Sequence, residues 1–200
     1  MKWHSIFTWE YLADFALQNF QPSEPRGEVR VRMVSDTYVV DINGPNTCEI
    51  LNPAEIAALT KRIGPDVLRK DADPDLAFNR IAKSKVAIGQ LLMDQSVIGG
   101  IGNIYRTEIL WRQNLHPLTT VKQISRTMFD QLWADSVHLL EIGVKNNAII
   151  TVDRVKKSRS KYGERVNIFD KPTCLTCNRK ITKIQIATRR IFACEACQPI

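Results

Sequence analysis

Two Cys-x-x-Cys pairs near the end of the chain constrain its fold more than any other feature of the sequence. The first pair is Cys174 and Cys177, and the second is Cys194 and Cys197. Each pair spans one tight turn, and the residues between the pairs alternate in the manner of a β-hairpin, so the four thiolates can meet around one ion. We therefore expect one Zn²⁺ in a tetrahedral site. Four sulfur ligands leave no open coordination position, which indicates a structural metal.

The expected hairpin carries two adjacent arginines, Arg189 and Arg190, at its tip. A guanidinium is planar and presents paired N–H donors, which suits the recognition of phosphate. A solvated pair of arginines without a ligand is an equally good interpretation of the hairpin taken alone.

The positive charge of the chain is concentrated at the same end. Of the 28 lysines and arginines in the 200 residues, 12 lie in residues 151–200, where only 4 of the 21 acidic residues are found. This asymmetry predicts a polyanionic partner, with nucleic acid the first candidate. A membrane surface fits less well, since no large apolar helical face accompanies the basic residues and no stretch is long enough to span a bilayer.

The start of the chain lacks the pattern of a secretion signal, because acidic residues interrupt its aromatic residues. We therefore expect a reducing, cytoplasmic location. Cys48 is the odd cysteine once four are assigned to zinc, and we expect it to be a buried free thiol. The aromatic residues near the start suit a core as well as a base-stacking surface; they are Trp3, Phe7, Trp9, Tyr11 and Phe15.

Local patterns predict strands first and helices afterwards. Alternating apolar and charged residues indicate two antiparallel strands over residues 28–34 and 37–41, with Val29, Val31 and Met33 on one side of the first; a third short strand is expected over 48–51. Helical patterns then cover residues 76–83, 86–93 and 103–111. A longer helix is expected to bury an apolar stripe formed by Ile124, Met128, Leu132, Val137, Leu140 and Val144.

The residues between the predicted strands and these helices carry the signature of a helix N-terminus. Asn52 is placed to cap the helix, Pro53 to occupy its first position and Glu55 to reach back to the cap. Gly64 and Pro65 should end it.

Three glycines, Gly99, Gly100 and Gly102, precede the helix predicted to begin at Asn103. Glycines there permit close approach of a ligand, and a helix N-terminus favours an anion, so a phosphate can dock on this turn. Asn103 either caps the helix or donates its side-chain amide to the phosphate. The glycines do not follow a strand and no Gly-Lys-Ser/Thr is present, which excludes a dinucleotide fingerprint and a nucleotide-triphosphate loop.

Three segments give the sequence a resemblance to a known protein family. Residues 93–108 resemble the helix-two-turn-helix element of the formamidopyrimidine-DNA glycosylase and endonuclease VIII family. Residues 174–197 are similar to the zinc finger of that family, and residues 63–68 match its interdomain linker. The resemblance is collinear over roughly residues 5–198 and is closest to the endonuclease VIII-like branch of actinobacterial type.

The resemblance implies an α+β fold: a partial N-terminal β-sandwich, a helical helix-two-turn-helix domain and a C-terminal zinc-finger β-hairpin. The expected parts are a sandwich remnant (1–62), an interdomain linker (63–74), the helix-two-turn-helix DNA-binding domain (75–153), a basic loop (154–170) and the zinc-finger hairpin (171–200).

Members of the family flip a damaged nucleotide out of DNA and excise its base. Their N-terminal proline amine attacks the sugar C1′, and the Schiff base that results eliminates the phosphates while an adjacent glutamate handles protons. This chain begins Met1-Lys2-Trp3, with neither residue, so we expect an N-terminally shortened form with no catalytic residue. The Arg-Phe wedge of some members is replaced by Asn-Gly-Pro-Asn at residues 43–46, which argues against wedging by this loop.

The resemblance assigns phosphate contacts to Asn103 and Arg189, with Gly102 and Arg190 as further DNA-binding residues. The partner it implies is double-stranded DNA with a damaged base or abasic site, bound by a monomer associated with the nucleoid. Two interpretations of function follow. One is a base-excision-repair DNA glycosylase with abasic-site lyase activity, and the alternative is a catalytically dead DNA-binding fragment. A zinc ribbon that binds structured RNA or a protein would leave the helix-two-turn-helix segment unexplained.

Three other polar residues are interpreted as structural. His116, before Pro117, is expected in a turn, and His138 on the surface or half-buried beside the apolar stripe. Glu108 lies about one turn beyond Asn103 and is expected to orient the glycine turn.

Overall fold

The structure, a computed structural model, describes residues 24–43, 48–153 and 162–200. It divides into two compact units, Met1–Ile56 and Ala57–Ile200. Both strands and helices are present, which confirms the predicted α+β class. No helix in the described part of the chain is long and apolar enough to cross a bilayer.

Several features singled out in the sequence lie outside the described residues. They are the chain start at Met1-Lys2-Trp3, the aromatic cluster within residues 3–15, residues 44–46 of the loop compared with the family wedge, and the basic segment 154–161.

In the first unit, β1 (Val29–Val34) pairs antiparallel with β2 (Val39–Asn43), as predicted. Ser35 closes the turn between them. Its backbone N–H donates to the carbonyl oxygen of Tyr38 at 2.8 Å, and its hydroxyl oxygen accepts from the N–H of Tyr38 at 2.9 Å.

This unit differs from the prediction in three places. β1 bulges between Val29 and Val31, and Met33, which was expected on the apolar side with them, is 50% exposed. Residues 48–51 form no strand, since their backbone meets no ladder partner among the described residues. The predicted burial of Cys48 is wrong, because its thiol is free and exposed in this irregular segment.

The predicted capping box is confirmed at the start of α1 (Pro53–Arg62). The side-chain oxygen of Asn52 accepts from the backbone N–H groups of Ala54 and Glu55 at 2.9 and 3.0 Å. The Glu55 carboxylate accepts from the Asn52 N–H at 2.8 Å. The helix ends before Gly64, as the sequence indicates.

Four more helices follow: α2 (Pro74–Ala82), α3 (Ile88–Leu91), α4 (Asn103–Arg112) and α5 (Arg126–Asn146). Three of them confirm the predicted helices, but α3 is shorter than the predicted 86–93. The segment before it pairs with another part of the chain, because Ala87 bridges Thr120 and the N–H of Ile88 donates to the carbonyl of Thr119 at 3.0 Å. These backbone bonds replace the first turn of the expected helix.

α2 to α5 pack around one apolar core, and five of the six residues in the predicted α5 stripe are buried in it or pack against it. The exception is Val144, which is 70% exposed. It lies in the last turn of α5, which Asn147 ends in the left-handed conformation with φ of 46°.

The C-terminal hairpin is formed by β3 (Thr182–Ile186) and β4 (Arg189–Ala193). Ala187 and Thr188 make the two-residue turn, with φ of 51° at Ala187. The predicted tip is therefore displaced, because Arg189 and Arg190 are the first residues of β4 and not the turn itself. Ile186 and Ile191 of the hairpin belong to the core of the helices.

The segment that resembles the family's linker packs against the glycine turn. The N–H of Gly64 donates to the carbonyl of Gln95 at 2.7 Å, and that of Gly99 donates to the carbonyl of Pro65 at 2.9 Å. A Cβ on Gly64 would lie 2.5 Å from the carbonyl group of Val97, so a side chain has no room there.

Candidate nucleic-acid interface and metal centre

The four predicted metal ligands meet at the base of the hairpin. The Sγ atoms of Cys174, Cys177, Cys194 and Cys197 all lie within 4.8 Å of one another. Cys174 and Cys197 are 3.8 Å apart, and Cys177 and Cys194 are 3.4 Å apart. Four sulfurs held about 2.3 Å from one zinc ion stand roughly 3.8 Å apart at the corners of a tetrahedron. The cluster therefore has the dimensions to hold one metal ion.

Gln198 connects the second cysteine turn to the helical core. Its side chain is fully buried, its amide oxygen accepts from the N–H of Cys194 at 2.9 Å, and its amide nitrogen donates to the carbonyl of Leu115 at 2.7 Å. Sequence reasoning missed this residue. The one available signal was a polar amide placed directly after the last cysteine.

The glycine turn is braced from inside by Gln95. Its side-chain amide nitrogen donates to the carbonyl of Ile101 at 3.0 Å, and its amide oxygen accepts from the N–H of Gly100 at 3.0 Å. Gly100 has φ of 91°, a conformation that favours glycine. Gly102 is the N-cap of α4, and a Cβ built on it would meet nothing within 4 Å.

Asn103 is the first residue of α4 and does not cap it, so the capping interpretation is wrong. The cap position falls one residue earlier, at Gly102, which has no side chain to offer. The Asn103 amide nitrogen instead donates to the carbonyl of Arg190 at 3.1 Å, across 87 residues of sequence. The glycine turn and the start of β4 thus lie side by side.

Arg106 lies directly behind Asn103, and no sequence feature singled it out. Its side chain is 1% exposed, and its guanidinium donates to the carbonyl of Gly89 at 2.8 Å and to the side-chain oxygen of Asn103. Its Nε has no partner, and no carboxylate pairs with it within the described ranges.

Burial, and to a smaller extent the nearby positive charge of Arg189, lower the pKa of Arg106 to about 10. The guanidinium of Arg106 therefore lies at the amide of Asn103, with that of Arg189 near enough to affect it. A buried cation without a counter-ion makes this turn favourable for an anion.

Glu108 has a structural role, as expected, but at a different place from the glycine turn. Its fully buried carboxylate accepts from the hydroxyl of Thr151 at 2.6 Å and from the backbone N–H groups of Asn167, Ile168 and Phe169 at 2.7, 2.8 and 2.8 Å. It holds the segment that leads into the hairpin against the middle of α4.

The two histidines lie as expected. His116 is buried in a turn, where its Nδ1 accepts from the N–H of Leu118 at 3.2 Å. Burial lowers its pKa, and Glu195 raises it to a smaller extent. His138 is exposed on α5.

Comparison with known proteins places this arrangement in a family. Residues 63–154, which contain the glycine turn and α2 to α5, match the formamidopyrimidine-DNA glycosylase H2TH domain. Endonuclease 8 1 of Mycobacterium tuberculosis is 37% identical over 185 residues, which are 88% of this chain and 68% of that protein. The chain belongs to the formamidopyrimidine-DNA glycosylase and endonuclease VIII family.

Other members of the family agree in sequence and fold. The formamidopyrimidine-DNA glycosylase of Chloroflexus aurantiacus is 31% identical over 157 residues, covering 74% of this chain and 55% of that protein. A complex of Lactococcus lactis Fpg with DNA containing an abasic site superposes with a TM-score of 0.73 at 23% identity, covering 91% of this chain and 70% of that one. A MutM complex with DNA containing carbocyclic 8-oxo-G superposes with a TM-score of 0.75 at 23% identity, covering 94% of this chain and 71% of that one. These two structures confirm the fold.

Proposed function

We propose that this chain binds duplex DNA at a damaged base or an abasic site, and that Asn103 and Arg189 contact its phosphates with Gly102 and Arg190 beside them. The observation that carries the proposal is the hydrogen bond from the Asn103 amide to the carbonyl of Arg190. It joins two elements distant in sequence into one surface with the N–H groups of a helix start and two arginines.

The charge around this surface supports an anionic ligand. The buried guanidinium of Arg106 holds the side-chain oxygen of Asn103, which leaves the donor end of that amide on the side of β4. The field of Arg106 adds to that of Arg189, and a phosphate placed between these donors would supply the missing negative charge.

We propose that the ion held by Cys174, Cys177, Cys194 and Cys197 is one Zn²⁺. The sulfur separations and the all-thiolate ligand set suit this metal. Zinc bound there would stabilise the hairpin and, through it, the position of Arg189. With all four positions taken by sulfur, it would not act on a substrate.

The phosphate contact is tested by the salt dependence of DNA binding. Each phosphate neutralised contributes about 0.9 to the slope of log affinity against log salt, so Arg189→Ala should reduce the magnitude of that slope by about one unit. The duplex carries a stable abasic-site analogue, and affinity is measured by fluorescence anisotropy over a salt series. Arg179→Ala removes the same charge from an exposed site in the same finger and serves as the control. Equal slopes for the two variants would exclude Arg189 as a phosphate contact.

Family membership supports a further proposal, that the activity is DNA glycosylase chemistry with abasic-site lyase elimination. The reaction begins with the attack of an amine on C1′ of the sugar, which gives a Schiff base. Borohydride trapping on duplex DNA with a single abasic site tests this. A covalent adduct supports the lyase reaction, whereas DNA binding without an adduct supports a DNA-binding chain that performs no imine chemistry.

A further inference from the structure

The indole N–H of Trp111 is a buried polar group without a well-formed hydrogen bond among the described residues. Trp111 lies in the last turn of α4 and packs against the small apolar cluster that contains the cysteines of the hairpin base. Its Nε1 is shielded from solvent and makes no hydrogen bond of good geometry in the described part of the chain. Buried donors in native proteins are almost always paired, so this N–H group calls for an acceptor.

The sulfur of Cys174 has several N–H groups around it. They are the backbone N–H groups of Thr176 and Cys177 and, on the side of α4, the indole of Trp111. Cys174 also belongs to the buried cluster against which Trp111 packs. It is therefore the sulfur to which the indole can donate.

We propose that the indole N–H of Trp111 donates a hydrogen bond to the Cys174 thiolate when the four cysteines hold their metal, and that Trp111 positions this ligand from α4. The inference rests on the proposed metal site. Four thiolates around one divalent cation leave a net negative charge in a largely buried place, and N–H donors disperse that charge. The same helix that presents Asn103 at its start thus supports the metal at its end.

The hydrogen bond is tested directly in the intact chain loaded with ¹¹³Cd, with the Trp111 indole signal assigned by its loss in Trp111→Phe. A hydrogen bond to a metal-bound thiolate transmits scalar coupling, so we expect a cross peak between ¹¹³Cd and the indole proton. A loaded chain without this cross peak overturns the proposal. The measurement uses the wild-type fold, so it holds even if the variant is poorly folded.

Metal affinity gives a second readout. Trp111→Phe keeps an aromatic ring in place and removes only the donor, so Cd²⁺ affinity in competition with a chelator should fall about tenfold, the lower range for loss of a group that supports a metal ligand. Trp133→Phe is the control, because Trp133 packs against Phe129 in the core of the helices and should leave affinity unchanged. A chain that takes up no Cd²⁺ would overturn the metal site itself. Bound Cd²⁺ with equal affinities in both variants would overturn the role of Trp111 alone.

Discussion

At the scale of single residues, two glycines differ in the space that the fold leaves around them. Gly64 lies against the backbone of Val97, where the fold has no room for a Cβ. Gly102 is surrounded by open space and has φ of −97°, which any residue adopts. We infer that the fold requires glycine at Gly64 but not at Gly102, which lies beside the proposed phosphate.

Gly102→Ala should therefore weaken DNA binding while changing the free energy of unfolding by less than about 1 kcal/mol, the usual difference between glycine and alanine at a helix cap. The added methyl group would occupy space next to the proposed phosphate. Denaturant unfolding and anisotropy with an abasic-site duplex measure the two effects. Gly64→Ala adds the same methyl group where it collides with backbone and should fail to fold stably. Unchanged DNA affinity in Gly102→Ala would contradict a phosphate at this turn.

Glu108 offers a second prediction at this scale, because its carboxylate faces only donors. Glu108→Gln would turn an amide N–H toward one of them and remove the charge, so the free energy of unfolding should fall by about 3 kcal/mol. Glu141→Gln, at an exposed position of α5, is the matched control and should be neutral within about 0.5 kcal/mol. Urea unfolding monitored by circular dichroism distinguishes them, and equal stabilities would show that the carboxylate contributes nothing special.

At the scale of elements, α4 connects the parts of the site. Its first residue, Asn103, reaches β4, its middle residue, Glu108, holds the segment before the hairpin, and its last turn carries Trp111 beside the cysteines. α4 is held against α5, because Tyr105 of α4 packs onto Gly143 of α5. A Cβ on Gly143 would lie 2.0 Å from the Tyr105 hydroxyl oxygen.

Gly143→Ala should force α4 and α5 apart and reduce the free energy of unfolding by about 2 kcal/mol, the usual range for overpacking. Tyr105→Phe removes the colliding oxygen, so the double variant should recover much of that loss. A double-mutant cycle by chemical denaturation measures the coupling. Strictly additive effects would show that the two helices do not meet through this pair.

At the scale of the whole molecule, the second unit is compact, and the hairpin contributes to its core. Ile186 and Ile191 lie in the core of the helices, and Gln198 bonds the last cysteine turn to Leu115. The metal proposed for the four cysteines would therefore stabilise more than the residues that bind it, because metal binding is coupled to folding.

Removing the metal with a chelator should disorder residues 171–198 while the helices remain at room temperature, with their thermal midpoint lowered by roughly 10 °C. Loss of packing around the two isoleucines of the hairpin should reduce the free energy of unfolding by a few kcal/mol. Each kcal/mol lowers the thermal midpoint of a chain of this size by about 3 °C. Circular dichroism melts with and without chelator measure it, and re-addition of Zn²⁺ is the control. Loss of all helical signal on chelation would contradict the selective disorder of the hairpin, and an unchanged midpoint would contradict its coupling to the helical core.

The structural features that could be predicted correctly are those set by the spacing of residues close together in the sequence. The cysteine cluster, the capping box at Asn52 and the paired strands β1 and β2 each depend on residues that are close in sequence or joined by one turn. Val144 and Cys48 were placed wrongly because burial depends on what packs against a segment, and a pattern of residue types does not contain that information.

The sequence by itself determined the family resemblance, the four cysteines proposed as metal ligands and the position of the glycine turn before α4. Only the tertiary structure decided that Asn103 bonds to Arg190, that Arg106 is buried with no carboxylate beside it among the described residues, and that Trp111 packs against the cysteines. The reason is physical: the first group follows from local backbone geometry and side-chain chemistry, whereas the second consists of contacts between residues far apart in the chain, which exist only once the core has packed.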